Sequence, residues 1–302
     1  MISAGSKSFR FASRLFDRRT RERSWLLYAW CRACDDLADG QVLGHGATAP
    51  ADPGAGLAHI RRQTERALAG EATGDVPFDA LALVAGECGI PRRFIDDHVE
   101  GFALDAAGWR PRTEADMLTY CYHVAGAVGC MMAVLMGVTP DEDATLDRAA
   151  DLGIAFQLAN IARDLVEDAR VGRCYLPQQW LDEVGLSPAD LALPERREDL
   201  AVFAARLARL EAGYRASAKV GALRLPLRCR WAVLAAARIY GGIAERVAAL
   251  GPAAWDQRVS TSKSEKLRHV AAALREARFL QGRDLPGDRA GLWIRPGVAE
   301  AA

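Results

Sequence analysis

Two clusters of aspartates in otherwise apolar helical sequence constrain this chain more than any other feature. The first cluster is Asp35, Asp36 and Asp39, and the second is Asp164 and Asp168. On a helix, carboxylates four residues apart project from one face, where each like-charged pair costs roughly 0.2–0.5 kcal/mol. One such pair alone would be interpreted as a solvated helix face. Two pairs flanked by apolar residues indicate instead that a bound cation offsets the repulsion.

The rest of the sequence predicts an all-α fold. Long segments rich in Ala, Leu, Arg and Glu place apolar residues at the 3.6-residue helical spacing, and no stretch alternates as a strand would. We predict a single-domain helical bundle with a central apolar cavity over residues 1–282, and a disordered Pro/Gly-rich tail over residues 283–302. Residues 40–56 lack periodicity, and loops of that length are typically functional or disordered.

The charge balance and the cysteines limit the function classes. The 302 residues contain 39 Lys and Arg against 39 Asp and Glu, a formal net charge of zero that argues against nucleic-acid binding. Seven scattered cysteines and no apolar leader predict free thiols in a reducing compartment, so we expect a cytoplasmic protein. The most apolar stretch, residues 124–138, is shorter than the ~20 residues of a membrane span. Any membrane contact is therefore expected to be peripheral, at the inner face.

The aspartate clusters suit a divalent cation. Carboxylate and carboxamide oxygens are typical ligands of Mg²⁺ and Mn²⁺, which share their coordination with substrate phosphates. The predicted metal ligands are Asp35, Asp36, Asp39, Asn160, Asp164 and Asp168. Arg32 and Arg163 stand beside the clusters and are candidates for binding phosphate, since a guanidinium can bind phosphate oxygens bidentately. An ion pair with the neighbouring aspartate is the alternative for each arginine.

Metal ligands and arginines beside apolar walls indicate a diphosphate that carries a greasy tail. A metal would neutralise the charge developing on the leaving diphosphate, and aromatic faces would stabilise the resulting carbocation. Phe9, Tyr28 and Tyr120 are the candidate aromatics, although core packing is the commoner role of such residues. The small-residue stretch from Val124 to Gly129 is suited either to lining a substrate channel or to packing two helices closely.

Several motifs carry a resemblance to a known family. They are Gly5-Ser-Lys-Ser-Phe9, Tyr28-Ala-Trp-Cys-Arg32 with Asp35-Asp36-x-x-Asp39, Tyr120-Cys-Tyr-His-Val-Ala-Gly126, Gln157-Leu-Ala-Asn160-Ile-Ala-Arg163-Asp164 with Asp168, Gly172-Arg-Cys-Tyr-Leu-Pro177 and Ala254-Trp-Asp-Gln-Arg258. With these motifs the chain closely resembles the squalene/phytoene synthase family over residues 5–280.

The resemblance implies the isoprenoid synthase fold and a head-to-head (1′-1) condensation of two prenyl diphosphates through a cyclopropylcarbinyl diphosphate. It favours geranylgeranyl diphosphate as the substrate, prephytoene diphosphate as the intermediate and phytoene as the product, with Mg²⁺ or Mn²⁺ and without NADPH. The residues expected to contact diphosphate are Arg32, Gln157, Arg163, Arg173, Tyr240 and Arg258. Asp35 and Asp164 are expected to be essential for catalysis.

The resemblance also assigns the residues around the tail. Tyr120, assisted by Tyr28, would handle a proton or stabilise the cation, whereas Phe9 and Val124 would line the pocket. Ser13, one helical turn beyond Phe9, is small and leaves room for a longer tail, which favours a C20 over a C15 substrate.

Two alternatives stand beside the C20 condensation. A sibling enzyme acting on farnesyl diphosphate would make dehydrosqualene, presqualene diphosphate or hydroxysqualene. A non-catalytic assembly protein of the same fold would have no need to keep the four spaced aspartates, both arginines and Tyr120. The expected partners are prenyl diphosphates, a membrane surface and downstream carotenoid enzymes, although no motif identifies a specific protein partner.

Overall fold

The computed structural model describes residues 11–39, 53–280 and 289–296, except for the side chains of Asp39 and Pro53. Phe9 and most of the predicted loop of residues 40–56 lie outside these ranges. Within them every regular element is helical, which confirms the predicted all-α class. The seven cysteines all carry free thiols, as expected.

The helices are joined mostly by short turns. Their bounds are α1 (Arg18–Asp39), α2 (Pro53–Leu68), α3 (Val76–Cys88), α4 (Arg92–Ala106), α5 (Glu114–Cys121), α6 (Ala127–Leu135), α7 (Asp143–Arg170), α8 (Gln178–Asp182), α9 (Arg197–Ala222), α10 (Leu227–Leu250) and α11 (Lys263–Phe279). A π-helical turn, Tyr122–Gly126, joins α5 to α6, and 3₁₀ turns cover Pro188–Ala192, Pro194–Arg196 and Gly251–Trp255.

Capping residues set several of these helix ends. Thr113 precedes α5 in a capping box: its hydroxyl accepts from the Asp116 amide at 3.1 Å, and the Asp116 carboxylate accepts from the Thr113 amide at 2.9 Å. Ser262 and Glu265 cap α11 in the same way. Gly89 ends α3 with φ of 67°, a left-handed conformation that glycine adopts without steric cost.

Helix α7 is the centre of the fold and packs against α6, α9 and α10. Two glycines let α7 approach the preceding helix closely. A Cβ added to Gly129 would lie 2.2 Å from the Ala149 carbonyl oxygen, and one added to Gly153 would lie 2.2 Å from the Ala125 carbonyl oxygen. The small-residue stretch therefore packs two helices closely, one of its two predicted roles.

The C-terminal segment of residues 289–296 is docked against the bundle, so the predicted disorder of the tail is wrong for these residues. Arg289 donates to the Asp151 carboxylate through Nε and Nη2, both at 2.8 Å, and Arg295 donates to Asp147 at 3.0 Å. The Arg295 residue is only 3% exposed. Composition missed this docking because the partners are buried acids on α7, distant in sequence. The boundary predicted at residue 282 lies outside the described residues.

One continuous helical stretch, Glu114–Leu135, is long and apolar enough to cross a membrane by length and composition alone. This stretch begins ten residues before the apolar segment of residues 124–138 that was considered in the sequence, because α5 and the π turn are continuous with α6. Since 61% of its apolar window is buried inside the protein, it has the character of a core helix.

Candidate active site

A cavity of about 630 Å³ runs along α7, confirming the predicted central cavity. One face of α7 forms a continuous wall, because its cavity-lining residues recur at helical spacing. They are Thr145, Arg148, Ala149, Leu152, Gly153, Phe156, Gln157, Asn160, Ile161, Arg163, Asp164 and Asp168. This wall is acidic towards the C-terminal end of α7, small and apolar in the middle, and polar again near the N-terminus.

Residues of both predicted aspartate clusters line the cavity. Asp35 of α1 lines the same cavity as Asp164 and Asp168 of α7. Asp36 does not line it, because the next residue of a helix points about 100° further around the axis. Its carboxylate instead accepts from Arg32 Nε at 3.0 Å, and Arg32 Nη1 lies 3.6 Å from the Asp35 carboxylate. The assignment of Asp36 as a metal ligand stays a prediction, and the structure gives this carboxylate an arginine partner on its own helix.

Asp164 is held by two arginines. Arg163 donates to its two oxygens through Nε at 2.8 Å and through Nη2 at 2.5 Å. Arg258, which follows α10 in the chain, donates to Asp164 at 3.1 Å and also pairs with Glu167. Arg32 and Arg163 thus each form the ion pair with a neighbouring aspartate that was predicted as the alternative to phosphate binding. Bound phosphate would compete with these carboxylates for the two guanidinium groups.

The acidic end favours a cation. Burial raises the pKa of Asp168 to about 7, and the nearby negative charge of Asp164 adds to the shift, whereas Arg173 opposes it. A carboxylate disfavoured by burial and by a like charge is stabilised when a cation binds beside it. Asn160 and Gln157 also line the cavity, and the Asn160 amide nitrogen donates to the Gln157 side-chain oxygen at 3.4 Å.

The donor set fits a metal that is bound together with substrate. Among the side chains that the structure describes, no three Asp, Glu, His or Cys residues lie close enough to hold a metal ion by themselves. Mg²⁺ is usually bound through one or two carboxylates plus substrate phosphates and waters, not by an all-protein cage. Asp35 of α1 and Asp164 with Asp168 of α7, which line one cavity, suit that arrangement. Asp39 is the other predicted ligand of α1, but its side chain is not among those that the structure describes.

Tyr120 lies on the cavity wall within a buried aromatic stack. Its ring stacks between Trp109, with centroids 5.8 Å apart, and Tyr175, with centroids 4.8 Å apart. Its hydroxyl donates to the Asp105 carboxylate, whose oxygens lie 3.0 and 3.1 Å away, and the Tyr175 hydroxyl donates to the same group at 3.3 Å. Burial and the Asp105 charge raise the pKa of Tyr120 well above its usual value, so this phenol is a neutral donor.

Asp105 and Tyr175 were missed in the sequence. A signal for Asp105 existed: His98, Phe102 and Asp105 follow one another at helical spacing on α4, and all three line the cavity. An acid continuing an apolar helix face is the same anomaly that drew attention to the two aspartate clusters. Tyr175 belongs to a loop, where no periodicity indicates which side chains turn inward.

The remaining predicted pocket residues lie on the wall, apart from Phe9, which is outside the described residues. Tyr28 of α1, Val124 of the π turn and Tyr240 of α10 all line the cavity. The Tyr240 ring stacks on Phe156 of α7 with centroids 4.2 Å apart. π turns are frequent at functional sites, and this one brings part of the small-residue stretch to the wall. The stretch therefore lines the cavity as well as packing two helices, and its contact with substrate stays a prediction.

Comparison with known proteins identifies the family of this chain. The squalene/phytoene synthase family model matches residues 2–265, so this chain belongs to the squalene/phytoene synthase family. A 15-cis-phytoene synthase of Pantoea ananas is 46% identical over 297 residues, covering 98% of this chain and 96% of that protein. A 15-cis-phytoene synthase of Paracoccus sp. is 45% identical over 298 residues, covering 98% and 95% respectively.

The fold is also similar to that of a solved relative. A crystal structure of a dehydrosqualene synthase in complex with ligand matches with a TM-score of 0.81 and 27% sequence identity. The match covers 92% of this chain and 94% of that one. The predicted isoprenoid synthase fold is thereby confirmed.

Proposed function

We propose that this chain is a prenyltransferase that condenses two geranylgeranyl diphosphates head to head (1′-1) and yields phytoene. The observation that carries the proposal is that Asp35, Asp164 and Asp168, from two helices distant in sequence, line one and the same mainly apolar cavity. The 45–46% identity to 15-cis-phytoene synthases over almost the whole chain supports the same activity.

The acidic end would bind the diphosphates. Mg²⁺ or Mn²⁺ held by Asp35, Asp164, Asp168 and Asn160 together with phosphate oxygens would neutralise the charge of the leaving diphosphate. Arg32 and Arg163 would exchange their carboxylate partners for phosphate oxygens, which guanidinium groups bind in the same bidentate manner. The aspartates released from these ion pairs then face the cation, so substrate binding and ligand formation reinforce each other.

The aromatic stack would serve the cationic tail. Tyr120 presents a neutral ring and hydroxyl to the cavity, and Trp109 and Tyr175 hold that ring in place on both faces. The hydroxyl oxygen of Tyr120 can accept a proton lost from the substrate cation while its own proton passes to Asp105, which is already hydrogen-bonded to it. Because the surrounding cavity is apolar, it also keeps water from quenching the cation.

The C20 substrate is favoured over a C15 substrate by the wall at Ser13. This residue is fully buried, lines the cavity and accepts a hydrogen bond from Trp25 Nε1 at 3.1 Å. A small, anchored side chain at this position takes little volume from a long tail. The dehydrosqualene synthase relative, at 27% identity, is more distant than the phytoene synthases at 45–46%.

The test is to supply the purified full chain with geranylgeranyl diphosphate or farnesyl diphosphate separately, with Mg²⁺ or Mn²⁺ and without NADPH. Extraction and mass spectrometry should identify a C40 hydrocarbon from the first substrate. A clear preference for farnesyl diphosphate would transfer the chain to the C15 sibling activity. Absence of any product from either substrate, in a folded protein, would favour the non-catalytic alternative.

The proposal includes a cytoplasmic location with peripheral contact at the membrane, since substrate and product are both lipidic. High salt with mild detergent should release the protein from a membrane fraction. Retention after both treatments would contradict a peripheral attachment.

A further inference from the structure

The end of the cavity opposite the aspartates is polar. Thr145 and Arg148 are the last residues of the α7 lining face towards its N-terminus. The Thr145 hydroxyl accepts from Arg224 Nη1 at 2.8 Å. Arg148 Nη1 donates to the Ser217 hydroxyl at 3.1 Å and to the Ser217 carbonyl at 3.3 Å. An apolar tail that extends from the diphosphate site along α7 therefore ends against a guanidinium group.

A chain of buried contacts holds this guanidinium in position. The Ser217 hydroxyl donates to the fully buried Asp151 at 2.5 Å. Asp151 in turn accepts the two hydrogen bonds from Arg289 of the docked C-terminal segment. Moving Arg148 away from Ser217 would disturb a buried polar network, and such networks are costly to leave partly unsatisfied.

The stem of Arg148 has little freedom because it lies against a glycine. A Cβ added to Gly221 of α9 would come within 2.6 Å of the Arg148 Cβ and 3.3 Å of its Cδ. Ala218 and Ala222, on either side of Gly221, line the same part of the cavity. The small residues of α9 therefore receive the stem, and the charged end marks the limit of the apolar space.

The length of the wall matches one class of prenyl chain. Asn160 and Arg148 are twelve residues apart on α7, or about 18 Å at 1.5 Å per residue. An extended chain gains about 1.2 Å per bond, so the main chains of C15, C20 and C25 prenyl groups span about 14, 19 and 24 Å. The diphosphate and its cation would occupy the turn between Asp164 and Asn160, so the tail is counted from Asn160. From there a C20 tail reaches Arg148, a C15 tail stops short of it, and a C25 tail would have to displace it.

We infer that Arg148, anchored by Ser217 and by the Arg289–Asp151 pair, is the floor of the prenyl cavity and limits the accepted chain to C20. A longer tail must either fold back or press apolar carbons against a charged group, which removes water from that charge without a replacement partner. The inference rests on the proposed function, because it takes the aspartate end as the diphosphate site.

The test compares C20 and C25 prenyl diphosphates in the full-length chain and in Arg148→Ala. Full burial of five further carbons would be worth nearly a thousandfold in affinity (about 0.8 kcal/mol per carbon), so even partial accommodation is measurable. The wild-type chain should use the C25 substrate at least tenfold less efficiently than the C20 substrate, measured as kcat/KM. Arg148→Ala should raise the C25-to-C20 ratio at least tenfold, and Arg148→Lys, which keeps the charge, should raise it less.

A second variant and a control keep the result interpretable. Ser217→Ala removes the hydroxyl to which Arg148 and Asp151 are both hydrogen-bonded but leaves the carbonyl contact to Arg148, so it should move the ratio in the same direction by only about threefold. This variant decides the matter if Arg148→Ala does not fold. Arg209→Ala removes an exposed arginine from α9 and should leave the ratio unchanged. A ratio in folded Arg148→Ala within twofold of the wild-type value would overturn the inference.

Binding measurements separate this inference from the proposed function. Unreactive thiodiphosphate analogues of both chain lengths, titrated calorimetrically with Mg²⁺, should show the same change in the ratio of dissociation constants. If the wild-type chain forms no C40 hydrocarbon, the proposed function fails, whereas the analogue ratios still report on the floor. If it forms C40 hydrocarbon and the ratios do not move in Arg148→Ala, the inference alone fails.

Discussion

Replacing Arg289 by alanine should destabilise the protein strongly, because the substitution leaves a fully buried carboxylate without its arginine. Asp151 is 0% exposed and receives both Arg289 hydrogen bonds at 2.8 Å. Breaking a buried ion pair by removing one partner costs about 3–5 kcal/mol. At roughly 2 °C per kcal/mol for a chain of this size, the melting temperature should fall by about 6–10 °C.

The loss should depend on pH in a defined direction. Burial already raises the pKa of Asp151 above its ordinary value, and Arg289 opposes that rise. Without the arginine the folded-state pKa of Asp151 rises further above its unfolded value of 3.8. A raised folded-state pKa means that the carboxyl favours the folded state while protonated, and that this stability is lost as the pH rises through the folded-state pKa. The deficit of Arg289→Ala should therefore be small near pH 4 and full at neutral pH.

Thermal unfolding followed by circular dichroism at both pH values measures this deficit. Arg92→Ala is the matched control, since its partners Glu65 and Asp96 are about half exposed and surface ion pairs contribute little. A fall of less than about 2 °C at neutral pH, or a deficit equally large in acid, would refute the reasoning that the C-terminal segment neutralises a buried charge.

Three further predictions concern the cavity and its walls. Asp35→Ala or Asp164→Ala should abolish hydrocarbon formation in product assays while circular dichroism shows a folded chain, and excess chelator should do the same to the wild type; turnover surviving these changes would contradict the metal site. Tyr120→Phe should lower kcat by about 10–150-fold if its hydrogen bond to a charged group, worth roughly 1.5–3 kcal/mol, acts in the transition state; an unchanged kcat would remove the hydroxyl from the chemistry. Gly153→Ala should cost at least about 1–3 kcal/mol in denaturant unfolding, because the added Cβ would lie 2.2 Å from the Ala125 carbonyl oxygen; wild-type stability would show that α7 can shift at no cost.

The helices themselves are predictable from local sequence, and capping residues and prolines mark some of their ends. Thr113 and its capping box mark the start of α5, and Pro226 immediately precedes α10. The π turn at Tyr122–Gly126 was not predicted, since its sequence has the same apolar character as the α-helices on either side. That difference matters for the site because the turn presents Val124 to the cavity.

The candidate site was predictable only in part. Asp35, Asp164 and Asp168 could be chosen because like charges on apolar helices are an energetic anomaly visible in sequence. Asp36 fits the same description, and only its direction around α1 shows that it pairs with Arg32 instead. The membership of the family, and with it the chemistry, was likewise legible in short motifs.

Contacts between distant segments were decided by the tertiary structure alone. Arg289 and Asp151 are 138 residues apart, and neither residue's neighbours indicate that the two pair. The same holds for Tyr120 with Asp105, and for Arg148 at the end of the cavity. Helical periodicity records which face of a helix is apolar, because that depends on residues within one or two turns. Which charges meet inside the protein depends on how the helices pack, and burial then decides whether each charge must find a partner.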